Sequence, residues 1–208
     1  MQLDFGARVR CEGDEVGQFA DVIVDPRARR ISHVVVMTDD GLPRLVPFRL
    51  VDRASGTDRI ALHCSVADLA TCPAIRHFAY LRFDELPRPG PDTDVGVENV
   101  IGMGSFESAE YGYSPDDFIS SVAITYDAIP SGQVELRRES GVISADGHRV
   151  GHVNGFELVE DRVTHVILVH RHLWKTRATP IPVHAIAEFS TDNVSLAIDR
   201  DALSALRH

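Results

Sequence analysis

The fold is decided by a stretch that occurs twice: ISHVVV at residues 31–36 returns as VTHVIL at residues 163–168. The flanking elements return in the same order: GDEVG at 13–17 as GHRVG at 147–151, and VPF at 46–48 as IPV at 181–183. Counted between first residues, the three pairs lie 134, 132 and 135 residues apart. A repeat that keeps its order and nearly keeps its spacing indicates one β module that has been duplicated.

The pattern of apolar residues predicts short strands in each copy. Residues 5–12 alternate between apolar and polar positions, which is typical of a strand with one buried face. The glycines of the 13–17 turn, and Gly151 in the second copy, are expected to supply the positive φ angles of a tight hairpin. The β-branched stretch at 31–37 is typical of a strand that is buried on both faces. Pro47 confines the next segment to a sheet edge or a barrel corner.

A short helix is predicted at the end of each copy. Ser65 is followed three residues later by Asp68, which is a capping-box pattern, and residues 199–206 occupy the matching place in the second copy. Five or six short strands followed by a helix indicate a small twisted barrel, in which closure removes exposed edges. The predicted fold class is therefore mainly β, with two tandem small barrels, each followed by a short helix.

An acidic segment separates the copies, and the predicted domains are 1–75, 76–134 and 135–208. Residues 84–127 hold ten acidic side chains against Arg88 alone, a balance of −9 out of a chain total of −10. Residues 86–104 are rich in proline and glycine, which predicts a linker. Aromatic residues follow it, among them Tyr111, Tyr113 and Phe118. Two interpretations remain open: an arm that packs on the barrels, or a recognition segment that becomes ordered on a partner.

Composition excludes several classes of protein. The hydrophobic fraction is 44% and the charged fraction 25%, which are ordinary values for a globular chain. Its apolar runs are far shorter than the ~20 residues that span a bilayer, so we expect a cytoplasmic protein that reaches membranes only through a partner. Neither copy has the basic stripe that nucleic-acid binding requires. Cys11, Cys64 and Cys72 form an odd set without metal-site spacing, which predicts buried or unreactive thiols.

The order of these motifs resembles the PRC-barrel family. The resemblance rests on the GxxVG turn, the Ile/Val-Ser/Thr-His-Val strand and the apolar-Pro-apolar step, in both copies. Members of that family include the cytoplasmic domain of the photosynthetic reaction centre H subunit and the C-terminal domain of a ribosome-maturation factor. The resemblance implies a small barrel that docks onto other macromolecules, with no catalytic residues to transfer, and it leaves the partner open.

Histidines are the first candidates for chemistry. His33 and His165 occupy the same repeat position, where a strand histidine bonded to a nearby group is the simpler interpretation. The second copy adds His170 and His172, whose spacing could begin a metal site, but no further ligand lies at a diagnostic distance. The sequence therefore predicts no metal, no cofactor and no catalytic residues. A small-ligand or metal site at His165, His170 and His172, or at the seam between the copies, is the alternative.

Residues 170–179 contain the best candidates for an interface. An aromatic side chain beside cations is typical of an interface anchor, and the segment holds Arg171, Trp174, Lys175 and Arg177. A solvated hairpin tip is the competing interpretation. No nucleophile elbow and no phosphate-binding loop is present. We therefore expect a non-enzymatic adaptor or assembly protein, self-associated as a dimer, with a protein partner.

Overall fold

A computed structural model describes residues 1–82, 90–101, 121–172 and 175–206. These residues form two compact units, Met1–Ile75 with Gly132–His208, and Arg76–Ser131. The prediction of a mainly β protein is confirmed, since strands dominate and only two short α-helices occur in the described ranges. Neither of these helices has the length and the apolar character that crossing a bilayer requires.

The elements of the chain follow the duplicated order. Those of the first repeat are β1 (Gln2–Asp4), β2 (Arg8–Cys11), β3 (Asp14–Asp25), β4 (Arg30–Thr38), β5 (Pro43–Pro47), β6 (Arg59–Leu62) and α1 (Val66–Thr71). Between the repeats lie β7 (Arg76–Arg82), β8 (Thr93–Ile101) and β9 (Ser121–Pro130). Those of the second repeat are β10 (Val134–Arg137), β11 (Gly141–Ile143), β12 (Arg149–Val159), β13 (Arg162–His172), β14 (Lys175–Pro182), β15 (Ile186–Ser190), β16 (Asn193–Leu196) and α2 (Arg200–Ala205).

The two repeats pair their strands in the same way. In the first, β2, β3, β4 and β5 form an antiparallel ladder, and β6 joins β2 in parallel. In the second, β11, β12, β13 and β14 form the same ladder, and β16 joins β11 in parallel. Even the register is kept, because Ile23 lies opposite His33 just as Glu157 lies opposite His165.

Each repeat gives its first strand to the other repeat. Strand β1 pairs with β12, and β10 pairs with β3, so that both repeats belong to one 13-stranded sheet. A pairing between Arg30 and Arg162 joins β4 to β13. Strands β1 and β10 each form main-chain hydrogen bonds with a strand of the other repeat. Neither repeat therefore completes its own sheet alone.

A single hydrophobic core fills this unit. Phe5 stacks on Phe19, with ring centroids 5.0 Å apart, and meets Phe156 edge to face at 5.8 Å. Phe5 and Phe19 come from the first repeat and Phe156 from the second. The buried cluster around them continues through both repeats without a break. Its interior is therefore occupied by side chains.

The prediction of turn glycines is confirmed at Gly13 but is wrong for Gly17 and Gly151, which lie within strands. The first hairpin turns at Glu12 and Gly13, with φ of 50° and 98°, and strand β3 already begins at Asp14. Two successive positive φ angles are the requirement of a two-residue type I′ turn. Gly17 and Gly151 lie inside strands, where a Cβ atom would overlap a carbonyl oxygen of the adjacent strand. Close approach of two backbones, rather than a turn, explains the glycine at 151.

The linker prediction for residues 86–104 is wrong where strand β8 lies. Strands β7, β9 and β8 form a separate antiparallel sheet in that order. Within this unit the carboxylate of Asp127, which is 1% exposed, receives two hydrogen bonds from Arg76, at 3.1 and 3.3 Å. Strand β8 was not predicted because it carries a bulge between Val95 and Glu98, which breaks the alternation that identifies a strand.

Candidate binding clefts

A first cleft, here called the seam cleft, lies where the two repeats meet. Its volume is about 360 Å³. The start of β4 and the 3₁₀ turn at Phe48–Leu50 form one wall, and the β12–β13 turn at Glu160 and Asp161 forms the other. Pro47 ends strand β5 and forces the chain into that 3₁₀ turn, because proline cannot continue the ladder. The turn places Arg49 in the lining of the cleft.

Three arginines line the seam cleft, and two of them are neutralised. Arg30 contacts the carboxylate of Asp161 at 2.9 Å, and Arg53 lies 3.9 Å from that of Glu160. Arg49 forms no ion pair with an acidic side chain in the described ranges. The cleft therefore offers one guanidinium group whose charge is available to an anion.

His33 lies in the same cleft beside Arg49. Its Nδ1 is 3.0 Å from the hydroxyl oxygen of Ser32. Burial lowers the pKa of His33, and the positive charge of Arg49 lowers it further, because both disfavour the protonated ring. The imidazole is therefore neutral at physiological pH and provides hydrogen-bonding capacity without charge.

An arginine of the first repeat occupies the equivalent corner of the second repeat. There the guanidinium group of Arg29 donates to the carbonyl oxygen of Val183 at 2.9 Å and to that of Ile186 at 3.2 Å. These carbonyl groups flank the second 3₁₀ turn, Val183–Ala185, which matches the first turn in the repeat. The duplication thus produced two corners, and Arg29 fills one of them.

A second cleft, here called the Arg138 cleft, lies on the second repeat and has a volume of about 780 Å³. Its floor consists of His152, Val169 and Ala178, which are directly opposite one another on β12, β13 and β14. Its rim is polar and contains Arg138, Glu139, Arg149 and Asn154.

The Arg138 cleft is cationic. The guanidinium group of Arg149 donates to the main-chain oxygen of Glu139 at 2.9 Å, which orients it without neutralising its charge. Glu139 provides the only carboxylate among the described residues of the lining, against two arginines. Guanidinium groups match carboxylates and phosphates in both charge and geometry. This cleft is therefore suited to an anionic group or an acidic segment.

The first repeat has no copy of this cationic surface. The position of Arg149 is occupied there by Glu15, which forms an ion pair with Arg8, and the position of His152 is occupied by Gln18. This contrast at an offset of 134 residues was readable from the sequence. The difference was not predicted because only residues that the two copies share were considered.

The predicted interface residues fall mostly beyond what the structure describes. Tyr111, Tyr113, Phe118 and Trp174 lie outside the described residues. Residues 171 and 175 lie on β13 and β14, and Arg177 is exposed on β14 opposite His170. Most of the segment 170–179 thus forms the paired strands of a hairpin.

The histidines do not assemble a metal site among the described residues. His165 Nδ1 lies 2.9 Å from a carboxylate oxygen of Glu157 across the strand pair. In the described ranges, no group of three His, Cys, Asp or Glu side chains is arranged to hold a metal ion.

In comparisons with known proteins, no family model and no curated protein sequence matches the chain.

Proposed function

We propose that this chain is a non-enzymatic interaction protein, an adaptor or assembly factor that docks an acidic segment of a partner protein in the Arg138 cleft. The observation that carries the proposal is the cationic lining of that cleft, with Arg138 and Arg149 at its rim. Ligand pockets for small molecules are lined mainly by apolar side chains, whereas five of the seven described residues that line this cleft are polar or charged. Charge complementarity across such a surface gives docking its specificity and speed.

The proposal also covers the fold family, the cellular location and the oligomeric state. Each repeat would be a PRC-type barrel, and its support is the strand order and register that the repeats share. The filled core supports a scaffold role, because function then belongs to the outer surface. The protein would act in the cytoplasm as a dimer, and the resemblance to docking barrels favours a protein partner over nucleic acid.

Charge removal at the Arg138 cleft tests the docking role. The full-length chain is used to capture partners from native cytosol, beside Arg138→Ala/Arg149→Ala and a control, Arg27→Ala/Arg59→Ala, with the same change in net charge. Arg27 and Arg59 are exposed and line neither cleft. We expect the cleft variant to retain about tenfold less of the wild-type partner, and the control to retain it fully.

The same partner must then bind as a purified protein, and its affinity for the chain must fall with added salt. Equal retention by the two double variants would contradict docking in the Arg138 cleft. A chain that sediments as a monomer and retains no partner would contradict the adaptor function as a whole.

A second candidate function, the binding of a small anion, is favoured by Arg49 and His33 in the seam cleft. Inorganic phosphate and citrate serve as probes, with unfolding temperature as the readout. At roughly ten times its Kd, a bound anion is expected to raise the Tm by about 4 °C. Arg49→Gln should abolish the shift, and Arg138→Gln should leave it intact. A Tm that is the same with and without both anions would exclude this candidate.

A further inference from the structure

All three cysteines of the chain lie together at one end of the first repeat. Cys11 is the last residue of β2, Cys64 follows β6 by two residues, and Cys72 ends helix α1. The sulfur atoms of Cys11 and Cys64 are 3.6 Å apart. Positions 53 residues apart in sequence are thus brought almost to contact, which no spacing rule for cysteines predicts.

The strand register explains this proximity. Strands β2 and β6 run in parallel, with Cys11 paired to Leu62. Cys64 comes two residues after Leu62, in the bend that follows β6, and its sulfur meets that of Cys11 there. Cys11 is 0% exposed, whereas Cys64 is partly exposed and packs against the edge of the core. One thiol of the pair is therefore accessible and the other is protected.

Helix α1 holds the third thiol close to the pair. The helix begins with a complete capping box between Ser65 and Asp68, and Leu69 anchors it to the core. At its end, the guanidinium group of Arg44 donates to the main-chain oxygen of Cys72 at 3.0 Å. The Cys72 thiol contacts the Asp68 carbonyl oxygen at 3.7 Å. Cys72 is thus turned back toward its own helix.

We propose that Cys11 and Cys64 are a redox-active pair, which a peroxide converts into an intramolecular disulfide. Hydrogen peroxide transfers one oxygen atom to the accessible sulfur of Cys64, which forms a sulfenic acid and releases one water. The sulfur of Cys11 then attacks that sulfur and expels hydroxide, which takes up the proton of Cys11 and becomes a second water. Two thiols and one peroxide thus become one disulfide and two waters. The sulfurs need to close from 3.6 Å to about 2.05 Å.

Burial makes Cys11 the slow partner of the pair. Desolvation raises the pKa of Cys11 to about 12, and the hydrogen bond with Cys64 and the charges of Cys64, Cys72 and Glu12 act in the same direction. Since the thiolate is the nucleophile, closure of the disulfide should become faster as the pH rises from 7 to 9. In the reverse reaction a thiolate of such high pKa leaves slowly, so the disulfide should resist external thiols.

Cys72 is a poor competitor for the same oxidation. Burial raises the pKa of its thiol, and the nearby charges of Cys64 and Asp68 raise it further, against the opposing effect of Arg44 and Arg49. A thiol that stays protonated reacts slowly with peroxide. The bridge is assigned to Cys11 because its sulfur already lies 3.6 Å from that of Cys64, whereas the Cys72 thiol is directed at the Asp68 carbonyl oxygen and is left reduced.

Peptide mapping of the oxidised full-length chain tests this assignment. The native protein is treated with hydrogen peroxide, its remaining thiols are alkylated under denaturing conditions, and it is cleaved by trypsin. A second cleavage before Asp68 is required, because Cys64 and Cys72 lie on one tryptic peptide. We expect a mass loss of two hydrogens per chain, a bridge between the Cys11 and Cys64 peptides, and an alkylated Cys72.

Serine variants supply the matched control. Cys64→Ser should lose the bridge, and Cys72→Ser should form it at the wild-type rate. Closure of a loop of this length should raise the Tm of the wild type by up to about 10 °C, and dithiothreitol should reverse the rise slowly. A bridge that involves Cys72, a bridge between two chains, or Cys64 oxidised beyond sulfenic acid with Cys11 still reduced would overturn the proposal.

Discussion

Phe156→Ala is expected to lower the free energy of unfolding by about 4 kcal/mol, because it removes a fully buried ring from the centre of the core. Phe156 belongs to the second repeat, yet its ring contacts Phe5 of the first repeat, which stacks on Phe19. The loss should therefore reach both repeats. Denaturant unfolding measures the size of the effect.

Hydrogen exchange shows whether Phe156→Ala destabilises both repeats. Protection in β3 and β4 should fall together with protection in β12 and β13, because one core stabilises all four strands. Val159→Ala is the matched control on β12: Val159 is 64% exposed, so stability should change by no more than about 0.5 kcal/mol. If exchange increased in β12 and β13 alone, the two repeats would have separate cores.

Gly17→Ala is expected to cost about 3 kcal/mol, although it adds only one methyl group. Its Cβ would overlap the carbonyl oxygen of Met37 and lie 2.8 Å from the Cα atom of Thr38. Both are backbone atoms of strand β4, so no side-chain rotation relieves the overlap. The φ of 150° adds strain for any residue with a side chain. Urea unfolding of the purified variant measures the cost.

Gly13→Ala separates the cost of backbone strain from the cost of the steric overlap with β4. Gly13 has φ of 98°, and a Cβ there meets nothing within 4 Å. Only the backbone conformation opposes the substitution, which should cost about 1 kcal/mol. Equal losses for the two variants would show that backbone strain alone, and not the close approach to β4, requires Gly17.

The strand exchange also explains a third glycine. A Cβ at Gly155 would overlap the carbonyl oxygen of Leu3, because β1 crosses β12 at this residue. The first repeat has Asp21 at the matching position, where β10 pairs with β3 instead. The two exchanged strands thus approach their hosts differently, and only one host needs a glycine.

Much of the β architecture was predictable, because its signals are local. Alternation and β-branched runs marked the strands, and a hydroxyl three residues before an acid marked the start of helix α1, whose capping box is present. The spacing between the two copies also relates their cross-strand pairs, since Ile23–His33 and Glu157–His165 are equivalent pairs. The bulged strand β8 escaped, because its pattern is interrupted.

The candidate clefts were far less predictable. Arg149 of β12 is brought to the turn that holds Arg138 by its hydrogen bond to the main-chain oxygen of Glu139, and Arg49 lines one cleft with Glu160 only because the two repeats meet there. The comparison of one repeat with the other does identify Arg149 as a departure, since Glu15 stands in its place. It does not show which other residues share the site.

The sequence by itself determined the duplication, the strand order within each repeat and the buried face of strands that alternate regularly, such as β2, because periodicity depends only on neighbouring residues. Tertiary structure decided that β1 and β10 change places, that one core serves both repeats, and that Cys11 meets Cys64. These contacts join residues more than fifty positions apart. Which of these long-range contacts form depends on how the completed strand ladders close and pack. No local sequence pattern encodes this closure and packing.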